Sequence, residues 1–322
     1  MPLRTPHFPD LLFDAASQLR AWETALLRLL ADQGYRELRP SLVMREPMAR
    51  NALRFFDQDE LVGLRWDFTE ALARLLASRF NEPPPRIAYA GAVFRKSSAP
   101  WEAVERWEVG CERIQPADED ATEADLDLAR LLMAVPAAIG LKRSLLHLGD
   151  AALWRRPLEA EAIPAPLAAA ATRALHLRAP HRVCEALEDH PAATRIADHA
   201  ALLASEPDGL AGLDALQASP YAALLATDRE RLAMRFQALQ PLLPQGLDLR
   251  LDLADVADLD FYTGPTLRLW AAGATAGLAA GGRYDRLYPE LGRPWQAAGF
   301  CMRLSTLLEL RDNRPELFEA MP

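Results

Sequence analysis

The chain predicts an α+β fold, an antiparallel sheet flanked by helices and interrupted by a mostly helical insertion. Three observations predict it. Two long alternating segments lie close together at residues 87–95 and 106–114, an Ala-, Leu- and Pro-rich stretch with helical periods fills residues 151–243, and strand signals return after it. With 322 residues, half of them apolar, the chain can bury a full core without covalent staples.

In order, residues 15–31 place Leu19, Trp22, Leu26, Leu29 and Leu30 at helical spacing, and Gly34 supplies a stop. Residues 35–43 read as an extended segment whose Pro40 suits an edge or interface strand. A helical pattern over 64–80 ends at Pro83, Pro84 and Pro85. The segments 87–95 and 106–114 then form a long hairpin around a loop of Ser, Pro and charged residues. Residues 118–135 carry Leu126, Leu128, Leu131, Leu132 and Val135 on a broad helical face, and 145–150 reads as a short strand. After the helical stretch, Leu249, Leu251 and Leu253 alternate with Asp248, Arg250 and Asp252, strand character continues through 262–270, and 297–310 runs from a strand into a closing helix. The expected organisation is a core of residues 1–150 and 244–322 around an insertion at 151–243.

Composition excludes several classes. Cys111, Cys184 and Cys301 are too few and too scattered for a disulfide framework or paired zinc ligands, which points to a reducing cytoplasm. The N-terminal residues lack the pattern of a secretory signal. The uncharged run at 269–282 is bounded by Arg268 and Arg283 and falls short of the roughly 20 residues of a membrane helix, so no membrane is expected. A formal charge of -9, from 36 basic and 45 acidic residues, disfavours nucleic acid as a partner. The six histidines show no metal-binding spacing, and no Walker loop, nucleophile elbow or dinucleotide fingerprint stands out, so neither metal nor cofactor is expected.

Two constellations could carry chemistry. Along 106–114, period two sends Trp107, Val109 and Cys111 to one face and Glu108, Gly110 and Glu112 to the other. The two carboxylates stand ~13 Å apart, too far for a paired general acid and base but suited to the two ends of a small zwitterion. The same pattern also fits the solvated face of an antiparallel sheet. Asp260-Phe261-Tyr262-Thr263-Gly264 and Gly281-Gly282-Arg283-Tyr284-Asp285 each join Gly to Tyr beside Asp; together they could wall a pocket for a polar aromatic ring such as imidazole, and singly each also fits a turn with a packed tyrosine.

In this order, these fragments resemble the class II histidyl-tRNA synthetase catalytic domain and the related ATP phosphoribosyltransferase regulatory subunits, over essentially the whole chain. Leu64-Arg65-Trp66-Asp67-Phe68-Thr69 is similar to the family's Leu-Arg-Pro-Asp/Glu-x-Thr element. Residues 89–112 resemble its motif 2 hairpin, Phe261-Tyr262-Thr263-Gly264 and residues 281–285 its two histidine-pocket signatures, and Pro40 its dimer-forming motif 1. The resemblance implies a class II synthetase-like sheet. It places Asp67 and Thr69 at the amino group of histidine, Glu112, Tyr262 and Tyr284 at its imidazole, and Glu108 where synthetases usually have Gln, with Arg95 as the compensating cation.

Departures from the family pattern fall on the nucleotide side. Ser97 replaces a motif 2 Glu, Ala103 and Val104 occupy a loop without the Gly-Arg pair, Ala257 followed by Asp258 replaces the histidine-specific arginine and its Gly, and Arg303-Leu304-Ser305-Thr306 replaces Gly-Leu-Glu-Arg. Adenylation needs cations aimed at developing phosphate charge, and one such lost contact commonly costs ~3 kcal/mol of barrier. The resemblance therefore implies no catalytic residues and no anticodon-binding domain. It implies a regulatory subunit that binds L-histidine, forms a homodimer within a hetero-oligomer and partners the short catalytic subunit of ATP phosphoribosyltransferase. An amino-acid-adenylating paralogue, kept open by Arg95 and Arg303, and a scaffold without ligand binding are the alternatives.

Overall fold

The computed structural model describes residues 10–45, 52–96, 103–187, 189–205, 209–256 and 262–319. The first helix, α1 (Phe13–Asp32), buries Leu19, Trp22, Leu26 and Leu30, and the Trp22 indole donates to the Ile139 carbonyl at 3.1 Å. Gly34, at φ +79, turns the chain out of it.

Only β1 (Arg36–Glu37) of the expected strand at 35–43 joins the main sheet. Past Pro40, whose carbonyl accepts from Arg65 at 2.9 Å, the chain enters a second sheet that the sequence pattern did not predict. It contains β2 (Val43–Arg45), β3 (Arg54–Asp57) and β4 (Glu60–Leu64), in the order β2-β4-β3. The helix expected over 64–80 consequently begins later, as α2 (Phe68–Arg79), because the Asp67 carboxylate accepts from the Glu70 amide at 2.8 Å and caps it.

The long hairpin is β5 (Arg86–Phe94) and β6 (Glu105–Pro116). Then come α3 (Thr122–Ala138), β7 (Ser144–Asp150) and a wholly helical run among the described residues up to 239. That run is α4 (Ala152–Ala160), α5 (Ala165–His176), α6 (Pro180–Leu187), α7 (Ala193–Ala204), α8 (Ala211–Ala215) and α9 (Ala226–Leu239), with one short 3-10 turn between the last two. β8 (Leu247–Leu251), β9 (Pro265–Trp270), β10 (Ala279–Arg283), the short helix α10 (Leu287–Glu290), β11 (Trp295–Arg303) and α11 (Leu304–Asn313) follow, and a 3-10 turn at Pro315–Leu317 is the last described element.

Eight strands make one sheet in the order β1-β5-β6-β11-β10-β9-β7-β8, parallel at its two edge pairs and antiparallel between them. The fold is therefore α+β, as the alternation and helical periods predict. β10 carries no alternating signal because it is Ala-Ala-Gly-Gly-Arg: a Cβ at Gly281 would meet Phe300, and one at Gly282 would meet the Tyr262 ring at 2.8 Å. Small residues are what this central strand requires. One sheet face, with Val109, Cys111, Leu267, Leu269, Phe300 and Met302, packs against α1 and α3. The other face packs Phe68 and Leu72 of α2 with Tyr89, Tyr262, Tyr284, Tyr288 and Ala297.

Candidate functional site

Strand pairing brings the site together on the α2 side of the sheet. Glu108 lies opposite Gly91 and Arg303, Gly110 opposite Tyr89 and Cys301, and Glu112 opposite Ile87 and Gly299. Directly opposed residues share a face, so each Glu has a glycine beside it and the glycine between them faces a tyrosine. A Cβ on Gly299 would come within 2.9 Å of the Glu112 carboxyl carbon, and one on Gly110 would lie 2.6 Å from the Tyr89 ring carbon that bears its hydroxyl. The absent side chains open a trough in which Glu112 and Tyr89 can lie.

Glu112 is 2% exposed. Its Oε1 accepts from the Thr69 hydroxyl at 2.8 Å and its Oε2 from the Tyr284 hydroxyl. Burial pushes its pKa up to about 8, with the nearby Asp67 adding to the rise and the Thr69 and Tyr89 hydroxyls opposing it. Asp67 is half-buried, and loss of solvent lifts it to about 7 against the pull of the Glu70 amide and of Arg95. Near neutrality both groups therefore stand poised between proton donor and acceptor.

Arg95 closes the other end. Its guanidinium pairs with Glu108 at 3.0 Å and donates through Nε to the Trp66 carbonyl at 2.8 Å. The buried Glu108 thus has the compensating cation its position demands. Trp66, at the family's usual proline, donates its indole N–H to Glu70. Tyr262 is buried against Gly282, one residue from the strand end that carries Tyr284. All seven predicted residues, Asp67, Thr69, Arg95, Glu108, Glu112, Tyr262 and Tyr284, thus belong to α2's cap, to the sheet face it covers or to the segments bordering that face.

Among the positions that depart from the family pattern, Arg303 donates to the Gly277 carbonyl at 3.0 Å and the Ser305 hydroxyl accepts from the Trp107 amide at 2.9 Å. Both groups serve the fold. Ser97, Ala257, Asp258, Asp260 and Phe261 lie outside the described residues. Sequence reasoning missed Tyr89, Phe68 and Arg65. The Tyr89 and Phe68 rings stack at 4.3 Å, and Arg65 lies over Phe68 at 3.9 Å while donating to the carbonyls of Pro40 and Ala92 at 2.9 and 2.7 Å. Only the cross-strand register, which places Tyr89 opposite Gly110, could have flagged the tyrosine.

Several open crevices lie elsewhere among the described residues, the roomiest of those described being one of about 740 Å³ past Arg155, Glu159, Arg173 and Arg286. One of about 410 Å³ runs past His147, Arg178 and Asp252, and one of about 440 Å³ past Asp125, Asp150, Arg235 and Arg283. His199 is buried, bonded to the Leu153 carbonyl at 2.8 Å and to Ser219 at 2.9 Å, and loss of solvent lowers its pKa to about 4. It is a neutral core histidine. Among the described residues no group of three His, Cys, Asp or Glu is arranged to hold a metal, and no helix is long and apolar enough to cross a membrane.

The family model for histidyl-tRNA synthetase matches residues 7–307. The chain belongs to the histidyl-tRNA synthetase family. A relative from Anaeromyxobacter sp. (strain K), named ATP phosphoribosyltransferase regulatory subunit, is 30% identical over 92% of this chain and 87% of its own length. The solved histidine–tRNA ligase subunit of Alicyclobacillus acidocaldarius is 27% identical, with a TM-score of 0.77 and 98% of each chain covered. A chain of the ATP phosphoribosyl transferase complex from Thermotoga maritima shares the fold, with a TM-score of 0.64 at 16% identity over 88% of this chain and 96% of that one. Membership of the family accounts for the sheet, and the chain groups with the members named as regulatory subunits.

Proposed function

We propose that this chain is a non-catalytic regulatory subunit of ATP phosphoribosyltransferase, which activates the short catalytic subunit and brings histidine feedback inhibition to it. One observation carries the reading. The carboxyl, hydroxyl and phenol groups suited to an imidazole and an ammonium stand together around Glu112, while the family's triphosphate-holding arginine is Thr306. The names of the relatives support the same reading.

In this reading Asp67 and Thr69 take the ammonium group and Glu112 takes a ring nitrogen, with Tyr262 and Tyr284 enclosing the ring. Arg95, neutralised by Glu108, orients the carboxylate end. Histidine regulates by binding one conformation of the complex better than the other, and the catalytic partner in turn changes histidine affinity. Self-association uses the small β2-β4-β3 sheet, whose Val43, Phe55, Phe56 and Leu61 are exposed in the single chain, with Phe56 at 73%. Three free cysteines fit a cytoplasmic setting.

The adenylating alternative loses ground because Arg95 and Arg303 are already engaged, by Glu108 and by the Gly277 carbonyl. The test is co-purification with a short catalytic subunit followed by transferase assays with and without L-histidine. Stimulation by this chain and inhibition by histidine are expected. Histidine-dependent pyrophosphate exchange by the chain alone would overturn the proposal.

A further inference from the structure

The far edge of the eight-stranded sheet carries charges that the site around Glu112 does not use. Cross-strand register continues the row that starts at Gly110: Cys301, Ala280, Arg268, His147 and Arg250 stand opposite one another in turn, so all of them lie on the α2 side of the sheet. Five strand spacings of ~4.8 Å put Arg250 ~24 Å from β6 and Glu112. Arg268 is held by Asp255, whose two oxygens accept from its Nε at 2.6 and 2.7 Å, and the pair is buried. Beyond that pair lies the crevice of about 410 Å³, with β7 and β8 on one wall and the helical segment on the other.

The charges in this crevice do not cancel. Asp252 accepts from Arg178 at 2.7 Å and from the Ala254 amide at 3.1 Å, and its second oxygen meets His147 Nδ1 at 3.2 Å. Burial works against its charge, yet His147 and Arg178 hold its carboxyl below the usual carboxylate range. Arg250 lines the same crevice, is exposed, and makes no hydrogen bond or ion pair among the described residues. Asp248, two residues before it on β8, does not line the crevice. Arg178 in turn stands against the preference of its own backbone. At φ +55 it is the left-handed residue after the cap of α5, a position that glycine fills best. Glycine would ease the turn but could not reach the crevice, so the side chain explains the residue.

We infer that this crevice is a second ligand site, which takes a small phosphate monoester and holds its phosphate between Arg250 on the sheet and Arg178 on the helical segment. Two guanidinium groups face one carboxylate that is already engaged, which leaves a local positive charge in a chain of net charge -9. Guanidinium forks on opposite walls match a doubly charged tetrahedral anion, whose oxygens can serve both; a carboxylate is satisfied by one fork. The volume exceeds that of a phosphate alone, and Leu145, Leu203, Leu251 and Leu253 supply an apolar surface for the rest of the molecule. The inference is independent of what the Glu112 site binds.

Phenyl phosphate, an apolar ring joined to a phosphate, is the probe. Calorimetric titration of the full chain should show one site with a Kd of ~1 mM or tighter, severalfold weaker binding of inorganic phosphate, and no binding of phenol. Arg250→Met, at an exposed position, should weaken phenyl phosphate about tenfold or more. Arg178→Gly, which suits the turn, should do the same with an unchanged circular dichroism spectrum. Glu112→Gln should bind the probe as the wild type does. Absence of saturation up to ~10 mM, or wild-type affinity in Arg250→Met, would overturn the inference. So would equal weakening in Glu112→Gln, which would place the phosphate over β6, and inorganic phosphate binding as tightly as phenyl phosphate would remove the monoester assignment.

Discussion

Arg283 and Tyr284 are consecutive residues that serve opposite faces of the eight-stranded sheet. Tyr284 reaches Glu112 on the α2 side, while Arg283 donates to Asp125 of α3 through Nε at 2.9 Å and Nη2 at 2.7 Å. Asp125 also takes Arg235 of α9 at 2.7 Å. A single peptide unit thus joins the tyrosine bonded to Glu112 to a buried ion cluster that ties the helical segment to the sheet.

Asp125→Asn should expose the weakness of that tie. It leaves the buried Arg235 without its paired carboxylate and Arg283 with Asp285 as its remaining one, and breaking a buried pair from one side costs about 3 kcal/mol or more. Urea unfolding should show a lower midpoint at unchanged slope, and histidine affinity should fall through displacement of Tyr284. A variant as stable as the wild type would show the cluster to be incidental.

Stability should decline as solutions become alkaline. Glu112, Asp67 and Asp150 are held by burial at about 8, 7 and 7, well above the ordinary carboxylate range near 4. Between those limits the folded chain keeps protons that the unfolded chain has lost. This contribution is complete below pH ~4 and disappears as the pH rises through the folded values. His199, lowered by burial, acts only in acid, where stability is lost as the pH falls from 6.5 towards 4. Calorimetry from pH 6.5 to 8.5 should therefore record a falling Tm. Asp150→Asn, outside the cluster around Glu112, should raise Tm at pH 8.5 by on the order of 2 °C or more and do little at pH 5.

Gly299→Ala should close the trough. The added methyl falls on the Glu112 carboxyl group, so either Glu112 or the β6–β11 pairing must give way. Histidine affinity should drop about tenfold or more, equivalent to about 1.4 kcal/mol, with the circular dichroism spectrum preserved. Undiminished affinity would place the ring elsewhere.

Arg95→Met should destabilise the chain more than a surface mutation, because Glu108 is 3% exposed and loses its cation. Adding Glu108→Gln should recover most of the loss. A double-mutant cycle by thermal unfolding measures the coupling, and additive effects would show that the pair contributes little.

Much of the site was legible because strand and motif signals coincide there. Period two puts Glu108, Gly110 and Glu112 on one face, and the Asp67-Phe68-Thr69 and Gly281–Asp285 elements carry the family's residue types. What stayed hidden needed pairing between distant segments. Tyr89 gains meaning only from its register opposite Gly110, and the glycines beside the two carboxylates only from theirs. In the fold, the hairpin and α1 were readable from periodicity. The β2-β4-β3 sheet was not, since strands of three to five residues are too short to show it. β10 escaped for a different reason: a strand packed tightly on both faces selects small residues over alternating ones.

Arg65 has a mechanical consequence. By resting on Phe68 and bonding to the carbonyls of Pro40 and Ala92, it rivets the first turn of α2 to two other stretches of chain. Any inward shift of Asp67 or Thr69 bears on the strap at Pro40 through that contact. A displacement of a fraction of an ångström in the first turn of α2 is therefore carried to the chain at Pro40, three residues before the small sheet begins at Val43.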